Sequence, residues 1–160
     1  MVDPPRDAPA DGLLGDLPAN LVVDVVGTVP ANVVDLTHDS RQVRPGWAFA
    51  CVPGDHHDGH DFAATAVAAG AVLLLVERRL PTETVGDTAQ VVCTEVRRAM
   101  GHAAASVHGH PARSLTIVGV TGTNGKTTTT HFVASILRAA ERRSQVLGTL
   151  SGVRTTPEAP

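Results

Sequence analysis

The chain has 160 residues, enough for one ordinary domain or for one small domain followed by part of another. Hydrophobic residues make up 42% of it, charged residues 18% and aromatic residues 2%, a composition typical of a globular protein with an aliphatic core. The formal net charge of -3 provides no broad positive field, so it argues against a protein that binds the backbone of nucleic acids.

Residues 1–20 are rich in Pro, Asp, Ala and Gly, and they predict a flexible lead-in that builds no core. They contain neither the basic nor the apolar segment of a secretion signal. The longest apolar run, residues 66–76, is far shorter than the roughly 18 residues that a membrane span needs. We therefore expect a cytoplasmic protein that does not associate with membranes.

Four runs of β-branched and aliphatic residues predict strands: 32–36, 47–52, 71–77 and 89–93. A helix of small residues is predicted between the second and third runs, with Asp61 as its N-cap and Gly70 as its stop. A second helix is predicted after the fourth run, from an N-cap at Thr94 to a break at Pro111. Because strands and helices alternate, the sequence predicts the α/β class, with a small N-terminal α/β domain over residues 21–111.

A new unit is predicted after Pro111, in residues 112–160. It consists of an apolar strand over 115–120, a Gly-rich loop over 121–125, a helix, and a further strand over 144–148. The helix keeps one face apolar, formed by Phe132, Val133, Ile136, Leu137 and Ala140. A single β-α-β unit exposes most of its apolar face unless it docks on a neighbour, so we expect this region to be held less firmly than the N-terminal domain.

The Gly-rich loop leads to Lys126, the only lysine among the 13 lysines and arginines of the chain. A strand that runs through such a loop into a helix forms a phosphate cradle, because unpaired backbone N–H groups and the helix dipole both favour an anion. Gly122 and Gly125 would let the backbone wrap closely around the phosphate. Lys126 would supply an ammonium group for the β and γ phosphates, and the hydroxyl of Thr127 is placed for Mg²⁺.

The loop departs from the strict phosphate-binding pattern, which has a glycine at the position of Val120; the nearest glycine here is Gly119. The alternative interpretation is a Gly-rich turn with an exposed lysine. The predicted strand before the loop and the predicted helix after it favour phosphate binding. Thr128 is a candidate phosphate neighbour, whereas Thr129 and Thr130 are interpreted as helix residues.

A second polar cluster lies in residues 37–61, which hold four of the eight histidines. His56 and His60 are four residues apart and suggest a metal site, but Gly59 between them indicates a loop rather than one helical face. A solvated polar loop is another interpretation. The third is that the loops after two predicted strands share one rim and present Ser, His and backbone groups to a polar ligand, which the residues alone do not name.

Five segments carry a resemblance to a known family: THDSRQVRPG (37–46), PGDHHDGHDFAATAVAAGA (53–71), GVTGTNGKTTTT (119–130), GTLSG (148–152) and RTTPEAP (154–160). Together they look like the Mur ligases, cytoplasmic ATP-dependent amide ligases that build the peptide stem of the peptidoglycan precursor. The resemblance is greatest to the N-terminal part of the MurE type, which adds a diamino acid to UDP-N-acetylmuramoyl-L-alanyl-D-glutamate. The D-S-R and D-G-H segments also occur in the type that adds D-Ala-D-Ala, whereas GTNGKTTTT, GTLSG and TTPEAP favour the MurE type.

The resemblance implies a UDP-sugar-binding Mur ligase N-terminal domain over 21–111 and the truncated start of an ATP-binding, P-loop central domain over 112–160. The implied contacts to the UDP-sugar are His38, Ser40, Asp55, His56, His57, Thr155 and Thr156. The implied ATP-binding residues are Gly122, Thr123, Asn124, Gly125, Lys126, Thr127 and Thr128. Lys126 and Thr127 are the implied catalytic residues, and Thr127 is the implied Mg²⁺ ligand.

The implied activity is ATP-dependent carbon-nitrogen ligation in peptidoglycan precursor synthesis, which serves cell-wall biogenesis, cell shape and cell division. ATP would phosphorylate the D-glutamate carboxylate of UDP-MurNAc-L-Ala-D-Glu, and the amine of a diamino acid would then displace the phosphate. The arginine-rich composition favours meso-diaminopimelate as that amino acid. Lys126 would stabilise charge on the transferring phosphoryl group, and Thr127 would hold Mg²⁺.

We expect the chain to be an inactive fragment of such a ligase, because the acids after Lys126 are only Glu141 and Glu158 and the further β-α units of a doubly wound sheet are missing. A first alternative is a non-catalytic UDP-sugar-binding module, which would not respond to Mg-ATP. A second is an unrelated P-loop phosphotransferase or switch protein, which would ignore uridine nucleotides. The ligase that adds D-Ala-D-Ala is the alternative within the family.

Overall fold

The computed structural model describes residues 8–148 and 152–154, and the chain divides into two compact units between Leu115 and Thr116. We call them the N-terminal unit and the C-terminal unit. The division falls slightly beyond the boundary expected between residues 111 and 112. None of the helices in the described ranges is both long and apolar enough to cross a membrane.

The described part of the N-terminal unit contains strands, α-helices and short 3-10 helices in alternation. Its strands are β1 (Ala8–Pro9), β2 (Val22–Val26), β3 (Asn32–Val33), β4 (Leu36–Thr37), β5 (Ala48–Ala50), β6 (Leu73–Val76) and β7 (Ala89–Cys93). Its α-helices are α1 (Ala10–Gly15), α2 (Ala63–Ala68), α3 (Thr82–Val85) and α4 (Val96–Val107). The 3-10 helices span Ser40–Gln42, Gly59–Phe62 and Pro111–Ser114.

Five strands of this unit form one sheet, in the order β2-β7-β6-β5-β4, while β1 and β3 form a separate antiparallel pair. Strands β4, β5, β6 and β7 are parallel to their neighbours, with Ala48 opposite Leu73 and Leu73 opposite Ala89. Only β2, at one edge, runs antiparallel to its neighbour β7. The carboxyl ends of the four parallel strands therefore meet at the same edge of the sheet.

The core lies on both faces of this sheet, because successive side chains of a strand point to opposite faces. One face carries Ala48, Ala50, Leu73, Leu75, Ala89 and Val91, which cluster with buried residues of α1 and α4. The other face carries Phe49, Leu74, Val76 and Val92, which cluster with buried residues of α2 and α3. This arrangement of helices on both faces of a mostly parallel sheet confirms the predicted α/β class.

The strand predictions are largely confirmed. The runs predicted at 47–52 and 71–77 contain the shorter strands β5 and β6, and the run at 89–93 forms β7 with the predicted bounds. The run at 32–36 is divided between β3 and β4, which belong to different sheets.

The N-cap predicted for the first helix is wrong. A 3-10 helix precedes α2, and its N-cap is Asp58, whose carboxylate accepts a hydrogen bond from the backbone N–H of His60 (3.0 Å). Asp61 therefore lies inside the 3-10 helix. The predicted stop is confirmed: Gly70 adopts a φ of +100°, and the N–H of Ala71 returns to the carbonyl of Ala66 (3.0 Å).

The N-cap predicted for the second helix of the N-terminal domain is also wrong. Helix α4 begins after Glu95 rather than Thr94. Its first N–H, that of Val96, donates to the carboxylate of Glu77 (3.0 Å), which comes from the end of β6. A residue distant in sequence thus satisfies the helix terminus, which a local pattern does not predict.

The expectation of a flexible lead-in over residues 1–20 is wrong for its second half. Leu13 is fully buried and Leu17 is 5% exposed, and both belong to the core cluster that also contains side chains of α4. Leu13 lies in α1 and Leu17 lies two residues after its end, so both the helix and the turn that follows it contribute to the core. The abundance of Pro, Gly and Asp around these leucines led to the prediction of a segment without core residues.

The described part of the C-terminal unit contains α5 (Lys126–Ala139), β8 (Val146–Gly148) and β9 (Gly152–Arg154). Helix α5 and β8 confirm the predicted helix and following strand. The strand predicted over 115–120 is not formed, since these residues belong to no strand and β8 pairs with β9 in antiparallel fashion. A strand requires a neighbouring strand, and the described residues offer none at this place.

The apolar face predicted for α5 is largely exposed. Phe132 is 66% and Ile136 68% exposed, while Ala134 is buried. Ile117, in the segment before the loop, is 70% exposed. The weaker hold expected for this region stays a prediction.

Candidate functional site

Two loops that were predicted to share a rim both leave the same edge of the sheet. His38 follows β4 directly, and Pro53 follows β5 closely. These strands are adjacent and parallel, with Thr37 opposite Phe49. The positions proposed for the UDP-sugar in the N-terminal unit therefore lie at the carboxyl edge, where parallel α/β sheets commonly bind ligands.

The D-S-R segment is organised by its own aspartate. Asp39 accepts two hydrogen bonds from the guanidinium of Arg41, both 2.8 Å, and a third from the backbone N–H of Arg41 (3.1 Å). These bonds lower the pKa of Asp39 from 3.8 to about 2. Ser40 begins the 3-10 helix that Asp39 caps and is half-buried, whereas His38 is exposed. Asp39 and Arg41 thus serve the shape of the loop and leave His38 and Ser40 accessible.

The second loop is a tight turn over residues 53–58. Pro53 and Asp58 form an antiparallel bridge, and the N–H of Gly54 donates to the carbonyl of His57 (3.0 Å). The three candidate ligand residues at its tip, Asp55, His56 and His57, are all exposed. They are available to a ligand at the rim.

His60 differs from the other histidines of the cluster because it is buried, at 3% exposure. Its Nε2 accepts a hydrogen bond from the backbone N–H of Glu77 (2.9 Å). The proton of the neutral ring is therefore on Nδ1, which donates to Asp58 (2.6 Å). Both ring nitrogens of His60 are thus engaged within the protein, while His56 is exposed, so the two histidines do not form the metal pair that their spacing suggested.

Asp58 joins the turn to the end of β6. Its Oδ1 accepts both hydrogen bonds from His60, and its Oδ2 pairs with the guanidinium of Arg78 (2.8 Å). The backbone hydrogen bond from His60, together with these side-chain partners, lowers the pKa of Asp58 well below its usual range. Sequence reasoning missed this network, because Glu77 and Arg78 lie in another part of the chain. The available signal was a histidine in a polar segment next to two buried strands.

The glycine loop of the C-terminal unit leads directly into α5. Gly125 is the N-cap residue of the helix and adopts a left-handed conformation with φ +77°, and Gly122 adopts φ +145°. Side chains other than glycine rarely adopt either conformation. The carbonyl of Gly125 accepts the N–H of Thr129 (2.9 Å), which starts the helical ladder. The two glycines thus permit the turn that places the loop at the N-terminus of a 14-residue helix.

Lys126 folds back over this loop. Its Nζ donates to the carbonyls of Gly122 (2.5 Å) and Thr123 (3.1 Å), and the residue is exposed. The ammonium therefore lies beside the loop rather than extending into solvent. Together with the N-terminal N–H groups of α5, it offers a concentrated positive site for a phosphate.

The threonines after Lys126 have different surroundings. The hydroxyl of Thr130 donates to the carbonyl of Thr127 (2.8 Å), so Thr130 serves the helix, as predicted. Thr127 and Thr128 lie in the first turn of α5 and are exposed. Thr155 and Thr156, the remaining candidate ligands, lie outside the described residues.

Comparison with known proteins gives a family match over most of the chain: residues 32–150 match the Mur ligase family, catalytic domain. The UDP-N-acetylmuramoyl-L-alanyl-D-glutamate--2,6-diaminopimelate ligase of Syntrophomonas wolfei is 38% identical over 156 residues, covering 91% of this chain and 32% of the relative. The ligase of the same name from Geobacillus thermodenitrificans is 43% identical over 136 residues, covering 79% and 27%. The chain spans about a third or less of the length of these curated relatives.

Solved structures give a similar picture. MurF from Acinetobacter baumannii superposes with a TM-score of 0.62 at 26% identity, over 85% of this chain and 28% of that chain. MurF ligase from Thermotoga maritima in complex with ADP superposes with a TM-score of 0.53 at 29% identity, over 66% and 23%. A UDP-N-acetylmuramoyl-L-alanyl-D-glutamate--2,6-diaminopimelate ligase shares the fold, with a TM-score of 0.67 at 22% identity over 96% and 30%.

The matched region includes both rim loops and the glycine loop with Lys126. The resemblance inferred from the sequence segments is thereby confirmed. This chain belongs to the Mur ligase family.

Proposed function

We propose that these residues serve an ATP-dependent amide ligase of peptidoglycan precursor synthesis, which joins a diamino acid to UDP-MurNAc-L-Ala-D-Glu. The observation that carries the proposal is the glycine loop at the N-terminus of α5, with the ammonium of Lys126 folded over it. The chain spans about a third of its curated relatives, so the complete reaction is inferred from relatives and not from these residues alone.

The phosphate loop fits ATP by the chemistry of its donors. The N–H groups of the first turn of α5 and the Lys126 ammonium would hold the phosphates, in the loop Gly122–Thr128. Thr127 offers a hydroxyl oxygen, which suits Mg²⁺ because this ion is usually held by one or two protein oxygens together with substrate phosphates. When bound, Mg-ATP supplies the phosphoryl group that activates the D-glutamate carboxylate. Lys126 would stabilise charge on that group as it transfers.

The rim of the N-terminal unit would hold the UDP-sugar. His38 and Ser40 follow β4, and the turn with Asp55, His56 and His57 follows β5, all at the carboxyl edge of the sheet. Histidine N–H groups and the serine hydroxyl are suitable donors to a uridine diphosphate. Thr155 and Thr156 are proposed as further contacts because they match the family's segment.

Meso-diaminopimelate is the proposed diamino acid, since the curated relatives are named as 2,6-diaminopimelate ligases. We place the protein in the cytoplasm, where UDP-sugars and ATP are available, and propose neither nucleic acid nor membrane as a partner. The ligase that adds D-Ala-D-Ala remains a second candidate, because MurF structures are among those that superpose. It would prefer the UDP-precursor with a tripeptide to the one with a dipeptide.

Isothermal titration calorimetry of the 160-residue chain tests the proposal. We expect UDP-MurNAc-L-Ala-D-Glu and Mg-ATP each to bind. Lys126→Ala should weaken Mg-ATP binding by about tenfold or more, because it removes the ammonium from the phosphate loop, and should leave the UDP-precursor unaffected. Arg138→Ala is the matched control: it removes an exposed cation from the last turn of the same helix and should change neither affinity.

The outcomes separate the candidate functions. Binding of the UDP-precursor without any binding of Mg-ATP would contradict the ligase and favour a UDP-sugar-binding module. Binding of ATP or GTP without the UDP-precursor would favour an unrelated phosphotransferase or switch protein. A preference for the tripeptide precursor would favour the D-Ala-D-Ala-adding ligase.

A further inference from the structure

The D-G-H segment, Asp58-Gly59-His60, has no assigned role in the proposed site, although it directly follows the turn that carries three candidate UDP-sugar contacts. Its histidine is buried and its aspartate is partly exposed at the base of the turn. Its glycine packs closely against the segment that follows β5: a Cβ at Gly59 would lie 2.5 Å from the backbone nitrogen of Val52. The segment is therefore tightly fixed at a place where the turn itself is exposed.

The fixed segment is tied to the next strand of the sheet. His60 accepts the N–H of Glu77 through Nε2 (2.9 Å) and donates to Asp58 through Nδ1 (2.6 Å). Asp58 also pairs with Arg78 (2.8 Å). The turn's second end is thus held by two consecutive residues that follow β6. Glu77 itself is held, because its carboxylate accepts the N–H of Val96 at the start of α4 (3.0 Å).

The first end of the turn is held as well. Pro53 forms a bridge with Asp58, and its carbonyl accepts a hydrogen bond from the guanidinium of Arg97 (3.4 Å) in the first turn of α4. Both ends of the turn are therefore held, by the segment after β6 and by α4, while its tip stays exposed, with the ring of His57 edge-on to Phe62 (ring centroids 6.3 Å apart). Such an arrangement reduces the conformational entropy that a ligand-binding loop loses on binding.

We propose that Asp58 and His60 are positioning residues for the UDP-sugar: they clamp the base of the 53–58 turn so that Asp55, His56 and His57 are held ready for the ligand. The identity of the ligand rests on the proposed function. The clamp itself follows from the contacts of His60 and Asp58 alone. Neither residue needs to touch the UDP-sugar.

Amide hydrogen exchange of the ligand-free 160-residue chain tests the clamp without any assumption about function. In the wild type the N–H groups of Gly54 and Gly59 are bonded to the carbonyls of His57 and Val52 and should be protected. Asp58→Ala, which changes a partly exposed residue, should make both amides exchange about tenfold faster or more. The N–H of Cys51, bonded to Leu75 within the sheet, should keep its wild-type rate.

Titration with UDP-MurNAc-L-Ala-D-Glu tests the consequence for binding. His60→Leu and Asp58→Ala should each weaken binding by about tenfold. His60→Gln should restore most of the affinity, because its amide can accept from Glu77 and donate to Asp58 as the imidazole does.

Gln90→Leu is the matched control for general destabilisation. Gln90 is also 3% exposed and also makes two hydrogen bonds, to the backbone N–H (2.8 Å) and carbonyl (3.1 Å) of Leu80, and both of these bonds lie away from the turn at residues 53–58. This variant should lose stability and keep its affinity for the UDP-precursor.

Exchange at Gly54 and Gly59 that stays at the wild-type rate in Asp58→Ala would overturn the clamp, even if His60→Leu does not fold. Equal loss of affinity in Gln90→Leu and His60→Leu would overturn it as well. A wild-type chain that does not bind the UDP-precursor would contradict the proposed function instead, and the exchange rates would still decide whether the clamp exists.

Discussion

At the scale of single residues, Gly59 shows how closely the rim loop approaches the sheet. The Cβ of an alanine at this position would lie 2.5 Å from the nitrogen and 2.7 Å from the oxygen of Val52. These neighbours are backbone atoms of a segment that leaves β5, so they cannot move aside as a flexible side chain would. Gly59 is thus required by space, not by an unusual backbone angle.

We expect Gly59→Ala to lower the free energy of unfolding by about 1–3 kcal/mol or more, because it overpacks this contact. Gly101→Ala is the control: Gly101 is exposed in α4 with nothing within 4 Å of an added Cβ. That change should raise stability by about 0.5–1 kcal/mol. Urea unfolding followed by the fluorescence of Trp47, the single tryptophan, measures both. Equal stability of the two variants would show that the contact at Gly59 is not tight.

Residues whose role depends on near neighbours could be predicted from the sequence. The sharp turn at Gly122 and Gly125 and the start of α5 at Lys126 belong to one short segment, so this local geometry was visible in the pattern, while its role in phosphate binding stays a prediction. The role of His60 could not be predicted, because its partner Glu77 is 17 residues away and approaches only when β5 and β6 pair. His60 is buried and His56 is exposed, and this difference likewise arises only when the sheet folds.

At the scale of elements, α1 and the segment after it belong to the core of the N-terminal unit. Leu13 and Leu17 join the cluster on the sheet face that also packs α4. Asp16, between them, pairs with His110 beyond the end of α4 (2.8 Å). The beginning of the described chain is therefore fastened to the end of the unit by both apolar and polar contacts.

Leu13→Ala should lower the free energy of unfolding by about 2–5 kcal/mol, because it leaves a cavity in a fully buried position. Leu14→Ala should cost less, since Leu14 is only partly buried against the same cluster. Chemical unfolding monitored by circular dichroism gives both values. If the two substitutions had the same small effect, the segment would be a lead-in after all.

The elements that were predicted correctly are those in which pattern and packing agree. β6 is a continuous apolar run and β7 is apolar except for Gln90, as expected of strands buried on both faces. The start of α4 and the strand over 115–120 were predicted wrongly because each depends on a distant partner: Glu77 for the start of α4, and a neighbouring strand for 115–120. The cap at Asp61 was predicted wrongly for a local reason, because a 3-10 helix capped by Asp58 precedes α2.

At the scale of the whole molecule, three carboxylates with lowered pKa values make the stability of the N-terminal unit depend on pH. Hydrogen bonds from Ser106 and His110 lower the pKa of Asp16, Arg41 lowers that of Asp39 to about 2, and His60 and Arg78 lower that of Asp58. A carboxylate whose pKa is lower in the folded than in the unfolded state stabilises the fold fully at pH values above its unfolded pKa. That stability is lost as the pH falls through the folded values.

We therefore expect the stability of the N-terminal unit to fall as the pH is lowered from about 4 to about 2. Asp39→Asn should be less stable than the wild type at pH 7, where Asp39 is charged and paired with Arg41, and the difference should shrink as the pH approaches 2. Urea unfolding at both pH values, followed by Trp47 fluorescence, provides the comparison. A difference that persists unchanged at pH 2 would mean that the charge of Asp39 is not its cause.

The sequence predicted the fold class and the family, because alternating patterns and short motifs are local. It did not predict β2 (Val22–Val26), the strand that runs antiparallel at the edge of the sheet. Neighbour relations such as β2 beside β7 arise when the chain closes on itself, and no local pattern encodes them.

Because Lys126 is the single lysine of the chain, it can be labelled selectively. Apart from the amino terminus, the 160 residues contain one primary amine, that of Lys126, which is exposed at the end of the glycine loop. A reagent that acylates lysine would therefore attach a dye, a crosslinker or a mass label at this loop and nowhere else on a side chain. Because the other basic side chains are arginines, amine acylation, which is usually unselective, becomes specific for one side chain in this protein.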